Sequence, residues 1–165
     1  SPSSAASDVY KRQPFINGQC QVSGKKAQGV VLKKELTGGT DIFQIDYTSA
    51  YATAVPELEK LIRTFTYNRA GEGTFVIEDR FEAVSGISFE TAITTRADWK
   101  MIGNNRLELV LGGEKMTVDI EAPGVVEFDS ETVEVNSPAY TRIGIRLKKP
   151  LQSGSVRLIM YPSRP

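Results

Sequence analysis

The sequence predicts an all-β fold, an antiparallel β-sandwich of roughly a dozen short strands. Three observations predict it. Apolar and polar residues alternate with period two in run after run, which sends one set of side chains to a buried face and the other to water. The runs are short and separated at regular spacing by Gly-Gly, Asn-Gly and Pro-Gly breaks. The stretch from Leu58 to Ala83 carries two alternating runs around Gly71 and Gly73, the signature of a long central hairpin.

Each element follows from its own pattern. Pro14-Phe15-Ile16 is a short apolar run closed by Asn17-Gly18, a strong turn signal, and Gln19 to Gly24 continues it. Val30 to Leu36 and Thr40 to Tyr47 are β-rich and flank Gly38-Gly39, so they read as a hairpin. Thr48 to Pro56 has small residues and no period, and reads as a loop. Helical spacing of Leu58, Leu61 and Ile62 behind Pro56 competes with a strand from Leu61 onward, and the strand is the stronger pattern. In the central hairpin, Leu61, Phe65 and Tyr67 face one way, and Phe75, Ile77 and Phe81 return on the same side. Ile87, Phe89, Thr91, Ile93 and Thr95 point inward in the next strand, with Ser88, Glu90, Ala92, Thr94 and Arg96 outward. Trp99 to Ile102 is a short strand turned by Gly103-Asn104-Asn105. Leu107 to Leu111 and Met116 to Ile120 form a hairpin across Gly112-Gly113. Beyond Pro123-Gly124, Val125 to Phe128 and Thr132 to Val135 read as two short strands, with a loop at 136–138. Ile143, Ile145 and Leu147 then alternate with Arg142, Gly144, Arg146 and Lys148. Pro150 to Gly154 reads as a turn into a last strand bearing Val156, Leu158 and Met160. No repeat with a period of about 20–50 residues is present, so residues 14–165 read as one domain.

The first 13 residues are read differently. Residues 1–7 are small and patternless, and Asp8-Val9-Tyr10-Lys11-Arg12-Gln13 resembles the translation of a transposase end used in sequencing libraries. Residues 1–13 are therefore expected to be an artefact or a disordered tail, and the natural N-terminus, with any signal peptide, is expected to lie elsewhere.

Composition excludes several function classes. Twenty basic and twenty acidic residues cancel, so no long-range field draws the chain to nucleic acid or an anionic membrane. No apolar run is long enough to span a bilayer as a helix. Cys20 is the only cysteine and reads as a small apolar filler. Histidine is absent, which removes His-dependent triads, imidazole bases and His-ligated metals together. No metal-ligand spacing and no phosphate-cradling Gly loop is found.

The residues that bear chemistry have bland readings beside sharp ones. Glu78, Arg80 and Glu82 share one strand face and read as a solvated charge ladder. Asp79 falls on the apolar side with Ile77 and Phe81, so it needs a partner, and Arg63 on the preceding strand is placed to be one. The pair reads as an internal register lock, with catalysis as the alternative. Tyr51 can line a sugar site or anchor the sheet edge.

Several phrases together resemble heparinase II/III-like polysaccharide lyases. Pro14 to Gln21, PFINGQCQ, is similar to a P-x-I-N-G-x-x-Q segment of that family, and Ile45 to Tyr51, IDYTSAY, to its D-x-T-x-A-Y segment. Arg63-Thr64-Phe65 and Phe75 to Phe81 resemble its long hairpin, and Thr141-Arg142-Ile143 with the closing strand resembles its tail. The resemblance implies a C-terminal β-sandwich domain whose N-terminal α/α toroid is missing, from a periplasmic or extracellular enzyme. That enzyme would cleave uronic-acid polysaccharides, such as glycosaminoglycans or alginate, by β-elimination. It also implies a parent in which Tyr, His, Asn and Arg act, and in which a structural zinc is held by two His and one Asp. With no histidine and no toroid, no catalytic or metal residue carries over, no cofactor is expected in this fragment, and the fragment alone is expected to be inactive. Asn17, Gln21 and Tyr51 are the candidate substrate contacts, with turn and strand-edge hydrogen bonding as the alternative for the first two. A stand-alone carbohydrate-binding or structural sandwich is the rival reading; a binding module would show a surface row of aromatics.

Overall fold

The structure, a computed structural model, describes residues 14–19, 29–134 and 139–163. The tail at 1–13, and with it the adaptor reading, lies outside the described residues, as do Cys20 and Gln21. Among the described residues no helix is long and apolar enough to cross a membrane.

Two antiparallel sheets face one another. The smaller has the order β1 (Phe15–Ile16), β6 (Phe89–Thr95), β11 (Tyr140–Leu147), β10 (Val126–Val133). The larger runs β2 (Val30–Leu36), β3 (Thr40–Asp46), β4 (Leu58–Asn68), β5 (Thr74–Ile87), β12 (Leu151–Pro162), β9 (Glu114–Glu121), β8 (Arg106–Leu111), β7 (Asp98–Gly103). The fold is thus the all-β sandwich that the alternation predicts.

The hairpin β4–β5 is the spine of the larger sheet, with Leu61 opposite Phe81, Arg63 opposite Asp79 and Phe65 opposite Ile77. Leu61, Phe81, Val156, Leu158, Val118, Ile120, Leu107 and Leu109 form its buried inner face. Ile87, Phe89, Ile93, Ile143, Ile145 and Leu147 answer them, Ile87 from the end of β5 and the others from the smaller sheet. The Phe81 and Phe89 rings stack at 4.8 Å between centroids.

Five local expectations are corrected. The segment read as one strand from Ile87 is broken at Ser88, where the chain passes from β5 in one sheet to β6 in the other. Alternation runs through the crossing because Ile87 and Phe89 both face the core. Thr48–Tyr51 in the expected loop is a single helical turn, α1. Asp46 starts it by accepting hydrogen bonds from the backbone and hydroxyl of Thr48, and the Thr48 hydroxyl oxygen in turn accepts the Leu61 amide at 2.9 Å. The two short strands around Phe128 and Thr132 are one strand, β10, whose exposed Asp129-Ser130-Glu131 centre hides the pattern. The turn expected at 150–154 is instead the start of β12, with a register shift between Leu151 and Ser153.

The fifth correction concerns Glu90 and Arg142, both expected to face water. They are buried and paired, Arg142 Nη2 donating to Glu90 Oε2 at 2.7 Å. Phe15 of β1 covers them, with the guanidinium 4.3 Å from its ring centroid. A side chain at Gly144 would overlap the Asp129 carboxylate and lie 3.0 Å from Arg142 Nη1, so glycine keeps the space beside this pair open.

Candidate functional site

Asn17 sits at the tip of the β1 turn with φ of 50°, a left-handed conformation that Asn tolerates better than most residues. Its amide N–H donates to the Ser88 carbonyl at 2.8 Å, its Oδ1 accepts the Ser88 N–H at 2.8 Å, and its Nδ2 donates to Glu57 Oε1 at 3.1 Å. Asn17 thereby fastens the turn to the corner where β5 meets β6, while its side chain stays at the surface. Tyr51 lies at 1 % exposure, and its hydroxyl donates to the Pro14 carbonyl at 2.7 Å. These two candidates therefore converge on one job, holding residues 14–19 against the sandwich, with Ile16 sunk in the core between them. Gln21, the third candidate, is outside the described residues.

Arg63 and Asp79 meet as their parity and hairpin register require. Nε and Nη2 of Arg63 donate to the two carboxylate oxygens of Asp79 at 2.7 and 2.8 Å. Thr91 of the smaller sheet joins them, its hydroxyl donating to Asp79 Oδ2 at 3.2 Å. Burial pulls the Arg63 pKa down, but the charge and hydrogen bonds of Asp79 more than offset it and hold it above the usual guanidinium value. Tyr47 lies close enough to feel both charges; burial chiefly, with Asp79, raises its phenol above the ordinary value against the pull of Arg63. At neutral pH Tyr47 is a neutral phenol and a poor base.

Beyond this polar group the character of the inner face changes. Phe43 on β3, Phe65 on β4 and Phe75 on β5 share the inner side, with ring centroids 6.5 Å apart for the first pair and 6.2 Å for the second. They pack on one another and stand outside the core cluster, and each is half-buried. Tyr67 continues the row at 40 % exposure, with the Arg69 guanidinium 5.2 Å from its ring centroid. Arg69 is itself paired with Asp41, whose carboxyl it holds below the ordinary range by hydrogen bonding. The alternation that puts Phe65, Tyr67 and Phe75 on one side of the hairpin holds, while the rings themselves stay outside the core cluster. Thr91 of the smaller sheet contacts the Arg63–Asp79 pair, and the Arg63 guanidinium lies 5.9 Å from the Phe65 ring centroid.

Hydrogen bonds from arginines hold the carboxyls of Asp41, Asp119 and Glu127 below their ordinary range, which makes them weaker bases. The described residues hold no group of three His, Cys, Asp or Glu close enough for a metal ion. With no histidine anywhere in the chain, the residues present do not fit the zinc that the resemblance implies for the parent. The arrangement can bind and brace, through an apolar ring face, a locked polar centre and a fastened N-terminal segment.

The sequence matches no protein-family model, and no curated protein matches it. Solved structures do match. Heparinase III covers 92 % of this chain with a TM-score of 0.68 at 18 % identity, and the match spans 23 % of that chain. Heparan sulfate lyase HepC from Pedobacter heparinus covers 93 % with a TM-score of 0.72 at 15 % identity, over 24 % of its length. A second heparinase III structure gives a TM-score of 0.70 at 10 % identity. At these identities the likeness establishes the fold alone: this chain is folded like part of each of these solved chains. The chain spans about a quarter of the length of the solved chains it matches.

Proposed function

We propose that this chain is the β-domain of a longer polysaccharide lyase acting on uronic-acid polysaccharides outside the cytoplasm. In that enzyme it would brace a separate catalytic α/α toroid and form one wall of the cleft. The observation that carries this is the alignment of 92 % of the chain with about a quarter of heparinase III. β-Elimination needs a base to take the C5 proton and a group to neutralise the uronate carboxylate. It also needs an acid to protonate the leaving oxygen as the C4–O bond breaks and the C4–C5 double bond forms. The described residues provide no such set, which is why the chemistry is assigned to the rest of the longer protein. Asn17, exposed at its turn, and Gln21 are the substrate contacts this reading proposes. Tyr51 supports the segment that carries them from beneath.

The second reading, a stand-alone carbohydrate-binding module, is favoured by the half-exposed ring row of Phe43, Phe65 and Phe75. Two measurements separate the readings. The purified chain is expected to release no unsaturated uronate, followed by ultraviolet absorbance, from heparin, heparan sulfate or alginate; clear turnover would show that the active site lies within it. An intact coding sequence is expected to encode a helical domain upstream of Pro14. A start codon immediately before Pro14 would overturn the lyase reading in favour of the module.

A further inference from the structure

We propose that two hollows beside the turn at Gly124 and Val125 form a second binding site for acidic oligosaccharide, apart from the Asn17 corner; the choice of ligand class rests on the reading above. One hollow, of about 460 Å³, is lined by Lys148 and Lys149 together with Leu147 and Leu151. The other, of about 730 Å³, is lined by Asn104 and Asn105 together with Phe128 and Met101. Gly124 and Val125 line both. These residues lie where β10 begins, and β10 is the edge of the smaller sheet opposite to β1 and its Asn17 turn. The hollows are therefore a separate hold on the polymer.

The polar groups here are uncommitted. Lys33, Lys60 and Lys100 are each paired with a glutamate, whereas among the described residues no carboxylate pairs with Lys148 or Lys149. Glu127 is near enough to feel Lys148, but its hydrogen bond comes from Arg146 at 2.6 Å. The side-chain amides of Asn104 and Asn105 bond to nothing else among the described residues. No acid among those residues lines either hollow. An apolar protein surface seated here would strip water from two ammonium groups and two amides and give them no partners. An acidic saccharide brings a carboxylate or sulfate to the ammonium pair and hydroxyls to the amides. Its ring C–H groups can lie against Phe128 and the aliphatic side chains, the usual mix of apolar lining and a few polar groups in a ligand site. Nucleic acid and anionic membranes call for larger basic clusters than two lysines.

Calorimetric titration of this chain with a heparan sulfate oligosaccharide at low salt tests the inference. Binding is expected, and it should weaken as salt is added. Lys148→Gln with Lys149→Gln is expected to weaken it about tenfold. Asn104→Ala with Asn105→Ala should weaken it severalfold. Lys115→Gln removes a charge outside both hollows and should change it little. All four site side chains are exposed, so the melting temperatures of the variants should match that of the native chain. No binding, or binding that the lysine pair does not affect, would overturn the inference. Binding lost in Phe65→Ala but kept in the lysine variant would place the sugar on the ring row and overturn it too. Equally tight binding of polyglutamate, lost in the same lysine variant, would assign the hollows to an acidic peptide and again overturn it. The functional reading fails separately. A longer protein that cleaves no polysaccharide defeats that reading while lysine-dependent binding by this chain stands. A longer protein that cleaves, beside a chain that binds nothing, defeats the inference alone.

Discussion

Arg63 and Asp79 face each other directly across β4 and β5, and the bidentate pair is closed off from water by Thr91 on the opposite sheet. Removing one partner strands the other at low dielectric. Asp79→Ala and Arg63→Met are each expected to cost about 3–5 kcal/mol in urea unfolding, and the double replacement Arg63→Met with Asp79→Leu less than either sum would suggest. A strictly additive double variant would show that the two side chains act separately. Asp119 contributes to acid stability, as do Asp41 and Glu127. Hydrogen bonding from Arg106, then from Tyr161, holds the Asp119 carboxyl below its ordinary value of 3.8. A carboxyl depressed on folding contributes stability above its unfolded pKa and loses it as pH falls through the folded one. Unfolding midpoints of the native chain should therefore drop below about pH 4, and Asp119→Asn should flatten that drop while lowering stability at neutral pH. An identical acid limb in the variant would contradict it. The Arg63–Asp79 contact was legible because strand parity and a hairpin register fix both partners locally. The Glu90–Arg142 pair was not: period two sends both side chains outward, and the Phe15 ring that covers Arg142 belongs to a strand far away in sequence.

Strands were legible wherever one face is dry and the other wet, as in β8–β9 with its Gly112-Gly113 turn. They were lost where burial does not alternate. β10 is exposed through its middle, and β12 begins with a register shift. α1 is too short to show a helical period, and it owes its existence to Asp46 and Thr48. Membership of the core was equally invisible, since a Phe on an inward position reads the same whether or not it packs into the core cluster. Stability distinguishes the two cases. Phe81 stacks on Phe89 with neither exposed, so Phe81→Ala should cost about 3–5 kcal/mol. Phe65→Ala, outside the core cluster, should cost less than half of that in the same denaturant series. Equal losses would mean that the ring row belongs to the core after all.

For the molecule as a whole, a wide sheet with an open edge is a hazard. Among the described residues β2 has no strand on its outer side, all seven of its residues are exposed, and Val30, Val31, Leu32 and Leu36 are apolar on both faces. The chain has zero formal net charge and a pI near 6.3, so charge repulsion between molecules is weak. Protection therefore falls to local devices on the strand itself. Lys33 and Lys34 would each be brought beside like charge or apolar side chains by a second edge, and the register shift between Val31 and Lys33 twists the strand from the flat geometry that pairing needs. Glu35 pairs with Lys33 at 3.3 Å and leaves Lys34 as the stronger guard. Replacing Lys33 and Lys34 together by Thr keeps β propensity and removes the charge. The double variant is expected to scatter light and bind thioflavin at concentrations where the native chain stays clear, most strongly near its altered isoelectric point. Adding a proline at Lys34 in place of Thr should reverse the effect, because it removes a backbone donor from the edge and cannot extend a ladder. If the Thr variant stays as soluble as the native chain, the edge is covered by some other part of the protein, and the two lysines have no protective role.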